Sequence, residues 1–114
     1  MSLWRISENV RKITAKYVKD NMPDGTTGVL ITPSVESIGF GAFRNYISLT
    51  SVNISEGVKS ISNWAFAGCT SLTSVAIPKS VESIGSCVFY GCTSLTSIDI
   101  PNGVKNIGYR AFMD

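Results

Sequence analysis

The chain has 114 residues, a length that suits one domain, and its 44% hydrophobic and 16% charged residues read as a globular composition low in charge. It holds no apolar run of about 18 residues, so no membrane-spanning helix is expected; nor does its N-terminus carry an apolar stretch ahead of a small-residue cleavage site, so no signal peptide is expected in this chain. The net charge of +2 belongs to the first 34 residues, where Arg5, Arg11, Lys12, Lys16 and Lys19 face only Glu8, Asp20 and Asp24; beyond them Arg44, Lys59, Lys79, Lys105 and Arg110 balance Glu36, Glu56, Glu82, Asp99 and Asp114, which argues against a nucleic-acid partner.

Residues 1–28 stand apart from the rest. Ile6, Val10, Ile13 and Tyr17 are spaced 4, 3 and 4 residues apart, as on one face of a helix. Ser7 suits an N-cap and Pro23 lies past the end, which predicts an amphipathic helix over about residues 7–21, packed as a cap on the remainder of the chain. Its opposite face would carry Arg11, Lys12, Lys16 and Lys19 into solvent. Asp24-Gly25-Thr26-Thr27-Gly28 then reads as a turn.

From residue 29 onward one pattern organises the chain. Val35–Gly57, Val58–Ser80 and Val81–Gly103 align without gaps as 23-residue blocks, a fourth block runs from Val104 and stops at Asp114, and Val29–Ser34 matches the end of a block. The shared pattern is V-x-S-I-x-x-x-A-F-x-G-C-T-S-L-T-S-V-x-I-P-x-x. Within it Leu72, Val75 and Ile77 form an L-x-x-V-x-I run whose last two residues alternate as a strand does, and the run recurs at Leu49, Val52, Ile54 and at Leu95, Ile98, Ile100. One block cannot bury these residues; stacked coils can, with equivalent side chains meeting in ladders. The predicted fold is therefore a repeat solenoid over residues 29–114, mainly β with short turns and 3₁₀ segments, behind an N-terminal capping segment at 1–28. Pro78 and Pro101 remove a ladder donor and end each strand.

Glu36, Lys59, Glu82 and Lys105 occupy one repeat position, so stacking would set them side by side at roughly 5 Å with alternating sign, a ladder that disfavours a slipped register. Cys69 and Cys92 fall in an inward slot of the pattern and are expected as buried neutral thiols, while Cys87 is expected to be the more accessible of the three. No chemistry is signalled. The absence of histidine rules out a His-based triad or His metal site, Cys87 and Cys92 lack C-x-x-C spacing, and neither phosphate-loop pattern occurs. No catalytic residue, metal or cofactor is expected. Asn53-Ile54-Ser55 matches a glycosylation sequon, in keeping with chance.

The runs Val81-Glu82-Ser83-Ile84-Gly85, Val88-Phe89-Tyr90-Gly91-Cys92-Thr93-Ser94-Leu95-Thr96-Ser97-Ile98 and Ile100-Pro101 resemble the BspA-like class of leucine-rich repeats over residues 29–114. Two departures are local: Asn45-Tyr46 replaces Gly-Cys in the first block, and Cys87 stands where other blocks have Gly41, Trp64 or Arg110. The resemblance implies a curved right-handed solenoid with a strand in each L-x-x-V-x-I run and often a second in V-x-S-I. It also implies a surface or secreted protein that adheres to or binds other proteins, host proteins among them, and it brings no catalytic motif.

Two surfaces compete for a partner. One is the outward side of the L-x-x-V-x-I strands, small and polar, where only Asn53, Ala76 and Asp99 vary. The other holds the positions that change most between blocks: Phe40, Arg44, Tyr46, Trp64, Tyr90, Tyr109 and Arg110, rich in the aromatic and Arg residues that dominate binding hot spots. The expectation is a non-catalytic protein-binding or adhesion module, extracellular or at the cell surface. The alternative is a structural unit that self-associates through its C-terminal coil, whose edge has no strand after Val104–Phe112.

Overall fold

The computed structural model describes residues 2–112. Two parallel sheets run along the solenoid. The first is ordered β1 (Leu3–Arg5), β3 (Gly28–Ile31), β5 (Ser51–Ile54), β7 (Ser74–Ala76); the second β2 (Lys12–Ile13), β4 (Ser37–Ile38), β6 (Ser60–Ile61), β8 (Ser83–Ile84), β9 (Asn106–Ile107). Successive strands in each sheet come from successive coils, and the pairing is in repeat register: Val52 lies against Val75, and Ile61 against Ile84. The V-x-S-I runs are thus strands of a second sheet, and the L-x-x-V-x-I runs build the first.

Between the sheets lies a single core of stacked equivalents. Ile6, Ile31, Ile54 and Ile77 form one ladder, Ile13, Ile38, Ile61 and Ile84 a second, and Val35, Val58 and Val81 a third. On the turn side Phe43, Phe66, Phe89 and Phe112 stack face to face at 5.3, 5.6 and 5.5 Å, with rings within 10° of parallel. Offset stacking of this kind adds to area burial, so each A-F turn is pinned by the next. The coils also approach closely at the backbone: a Cβ on Gly85 would sit 2.6 Å from the Asn63 amide nitrogen, and only glycine fits there.

The N-terminal segment folds differently from the sequence expectation. The helix is α1 (Ala15–Asn21), not residues 7–21, and its N-cap is Thr14, whose Oγ1 accepts from the Tyr17 amide, rather than Ser7. Residues 3–13 instead form a further coil, with β1 paired to β3 and β2 to β4. The 4, 3 spacing of Ile6, Val10 and Ile13 is the repeat's own, seen again at Ile31, Val35, Ile38 and at Ile54, Val58, Ile61. A helical face and an I-x-x-x-V-x-x-I coil share those separations, and burial between two sheets decides for the coil. Helix α1 then occupies the turn side of this first coil, with Val18 buried and Tyr17 stacked on Trp4 at 5.9 Å.

A second difference lies at the other end. Leu95, Ile98 and Ile100 are half-buried and form no strand, so the first sheet stops at β7 while the second continues to β9. The second sheet is held there by the adjoining turn, where Cys87 donates to Tyr109 and Phe89 to Ala111 through their backbones. No helix of the described residues is long and apolar enough to cross a membrane.

Candidate functional site: the left-handed turn side

Each A-F turn is a run of i-to-i+3 turns, such as the Ala67 amide to the Trp64 carbonyl and the Cys69 amide to the Phe66 carbonyl. A continuous 3₁₀ helix is prevented because the turn contains left-handed residues. Gly41, Trp64, Cys87 and Arg110, one per coil at the same repeat position, have φ of 59°, 64°, 57° and 56°. Asn45, Gly68 and Gly91, four residues on, have φ of 67°, 75° and 76°. Glycine adopts this conformation freely; Trp, Cys and Arg hold it at a cost of order 1–3 kcal/mol each. The geometry is enforced by coil-to-coil bonds, with the Gly41 amide donating to Asn63, Trp64 to Ser86 and Cys87 to Tyr109.

This backbone projects the variable side chains. Arg44 places its guanidinium carbon 4.7 Å from the centroid of the Trp64 ring, and Trp64 meets the Tyr90 ring edge-on at 5.6 Å. Three successive coils thus contribute one residue each to a continuous cation–aromatic stack, with Trp64 half-buried and Tyr90 36% exposed. One coil further on, Arg110 lies 4.8 Å over the ring of Tyr109, which is 70% exposed.

The remaining candidates fall elsewhere. Phe40, 63% exposed, lines a shallow trough of about 560 Å³ along the second sheet together with Ser60, Ser83, Asn106 and Ile107. Tyr46 takes the slot filled by Cys69 and Cys92 in later coils and is half-buried against the core, where it borders a cleft with Val18 and Met22 of the α1 region. Asn53 is exposed on β5, Ala76 on β7, and Asp99 beyond the last strand of the first sheet. Two of the threonines beside them are engaged: Oγ1 of Thr50 donates to the Thr27 carbonyl and that of Thr73 to the Thr50 carbonyl, both at 3.1 Å. These hydroxyls tie coil to coil.

The cysteines belong to the frame. Cys69 and Cys92 are buried, and their thiols donate to the Phe43 and Phe66 carbonyls of the preceding coil at 3.0 and 3.1 Å. Burial pushes the Cys69 thiol up to about 12, repulsion from Cys92 adds to it, and a backbone hydrogen bond from Tyr46 opposes it. Cys87 is the most exposed of the three, yet at 8% it too is buried, its thiol 3.8 Å from the Tyr109 carbonyl of the next coil. The charge ladder is in register and longer than the sequence suggests: Arg11 joins Glu36, Lys59, Glu82 and Lys105 at its head, and Arg11 and Glu36 close to 3.2 Å. Among the described residues no cluster of three His, Cys, Asp or Glu could hold a metal.

Comparison with known proteins fits this architecture. A leucine-rich repeat protein from Bacteroides ovatus superposes with a TM-score of 0.81 at 32% identity over 97% of this chain and 30% of its own. The pneumococcal vaccine antigen PcpA gives 0.72 at 26% identity over 74% of this chain and 21% of its own. A leucine-rich cell surface protein from Faecalibacterium prausnitzii gives 0.53 at 25% identity over 98% of this chain and 45% of its own. The chain therefore spans less than half the length of each of these three. No curated protein matches it. The BspA type leucine-rich repeat region matches residues 24–114 in six copies, and the chain belongs to that family.

Proposed function

We propose that this chain is a non-catalytic protein-binding module whose contact surface is the left-handed turn side, centred on Arg44, Trp64 and Tyr90. The observation that carries this reading is that Trp64 sits in a backbone conformation glycine would adopt without strain, yet its ring carries an arginine from the preceding coil over its face and meets a tyrosine from the next coil edge-on. Strained residues of this kind persist where the surrounding structure over-determines them and cluster at binding sites. Repeat proteins of this architecture generally act through extended protein-binding surfaces. Placement at the cell surface or outside the cell is part of the proposal, supported by relatives described as a cell surface protein and a vaccine antigen.

The test is biolayer interferometry of the purified chain against a panel of immobilised extracellular-matrix and plasma proteins, repeated with Trp64→Ala and Tyr90→Ala. The proposal expects a panel protein whose binding is lost in both variants while their circular dichroism stays native. Binding that survives both substitutions but disappears in Ala76→Arg would move the site to the strand face.

A second reading is favoured by one observation. Ile107 is 49% exposed and Phe112 39%, although their counterparts Ile84 and Phe89 are buried. In this reading the last described coil stacks on another copy of the chain; a monomer mass that does not change with concentration in light scattering argues against it.

A further inference from the structure

The electrostatics of the turn side say what kind of partner it fits. Positions 40–47, 63–70, 86–93 and the described 109–112 contain Arg44 and Arg110 and no Asp or Glu; the last coil's counterpart of Gly68 and Gly91 is Asp114, which lies outside the described residues. The other two arginines of the chain are paired, Arg5 with Glu8 and Arg11 with Glu36. Among the described residues Arg44 and Arg110 have neither an ion pair nor a side-chain hydrogen bond, and each instead rests on an aromatic ring. Stacking covers one face of the guanidinium and leaves its in-plane N–H edge, the edge that grips a carboxylate with two parallel bonds, without a partner among the described residues. A ring beneath the cation also excludes water from one side, which strengthens such a bond relative to a fully solvated pair.

The arrangement is a strip rather than a point. Arg44 and Trp64 come from consecutive coils, Tyr90 from the next, and Tyr109 and Arg110 from the one after, so the two guanidiniums flank an aromatic centre across four coils at roughly 5 Å per coil. We infer that the turn side receives an acidic peptide segment of its partner protein, with carboxylates at Arg44 and Arg110 and the intervening chain lying over Trp64 and Tyr90. This rests on the protein-binding reading and adds the chemistry of the bound segment.

The probe is a dye-labelled hexaglutamate peptide followed by fluorescence anisotropy, with hexalysine and hexaserine peptides in parallel. The full chain carries Trp4→Phe, so that the intrinsic emission reports Trp64 alone. The expected result is binding of hexaglutamate only, accompanied by a change in Trp64 emission and weakening several-fold as salt rises from about 20 to about 300 mM. Arg44→Gln and Arg110→Gln are each expected to weaken binding by roughly 5- to 10-fold, the loss of one partly exposed hydrogen bond. Equal binding of the three peptides, no binding of hexaglutamate, or full binding by the double arginine variant overturns the inference. Failure here combined with Trp64-dependent binding of a panel protein removes the acidic preference and leaves the binding reading intact.

Discussion

The strand side and the turn side of this solenoid are built from the same repeat but use their side chains differently. On the strand side the outward residues are small and alike from coil to coil, and the hydroxyls of Thr50 and Thr73 are committed to the carbonyls of the preceding coil. On the turn side the inward residues are alike, as the phenylalanine stack shows, while the outward ones change at every coil and two of the arginines are left without acidic partners among the described residues. Most positions that point into the stack are held constant, Tyr46 in the slot of Cys69 and Cys92 being an exception, and most of the variation falls on positions pointing away. The left-handed residues are where the two meet, because a position suited to glycine carries Trp64, Cys87 and Arg110.

The largest expected effect is on the frame of the turn side. Phe66 has a stacked ring on each side, so Phe66→Ala should destabilise the domain by about 3–5 kcal/mol in chemical denaturation. A loss below about 1 kcal/mol would mean that the ladder is not what pins the turns. Gly85→Ala pushes a Cβ into the Asn63 backbone and should cost about 1–3 kcal/mol, read as a lowered unfolding midpoint. Thr73→Val removes one coil-to-coil bond on the strand side and should cost about 0.5–1.5 kcal/mol without changing partner affinity. The smallest effect has the opposite sign: Arg110→Gly relieves a left-handed backbone at an exposed site and should raise stability by about 0.5 kcal/mol, visible as a small rise in Tm.

One prediction concerns pH. The Cys69 thiol is raised from 9.0 to about 12 in the folded protein, so the folded state holds its proton more tightly than the unfolded chain does. Its contribution to stability is complete below about pH 9 and is lost as pH rises toward about 12. Denaturation midpoints should therefore fall across that window, and Cys69→Ala should flatten this part of the profile.

Much of this was legible in the sequence. Ungapped 23-residue blocks placed the isoleucine, valine and phenylalanine ladders, assigned Cys69 and Cys92 to the interior and put the charged column in register. The first coil was not legible, because Ile6, Val10 and Ile13 satisfy a helical period as well as the repeat, and residues 1–28 lack the A-F and L-x-x-V-x-I landmarks that would have decided between them. Register with β3 also requires an offset of 25 rather than 23 residues, Leu3 lying opposite Gly28. Of the seven candidate residues that variability and residue type singled out, the structure brings Arg44, Trp64 and Tyr90 together. The sequence could not show that Tyr46 fills a core slot or that Phe40 faces a different trough, since variability does not report direction. The left-handed column was hidden for a related reason: Gly41 hints at it, but Trp64, Cys87 and Arg110 are residue types from which a positive φ is not inferred.

The most direct test of the turn side as the binding face is the variant Trp64→Gly, which removes the ring and gives the backbone the residue its conformation favours. Partner affinity and Tm are measured together on the panel protein that binds the chain, with Ala76→Arg as the strand-side counterpart. Trp64→Gly is expected to lose about tenfold or more in affinity, as for a hot-spot aromatic, while the domain stays folded, and Ala76→Arg is expected to leave affinity unchanged. Unchanged affinity in a folded Trp64→Gly, with binding abolished by Ala76→Arg, would contradict the turn-side assignment.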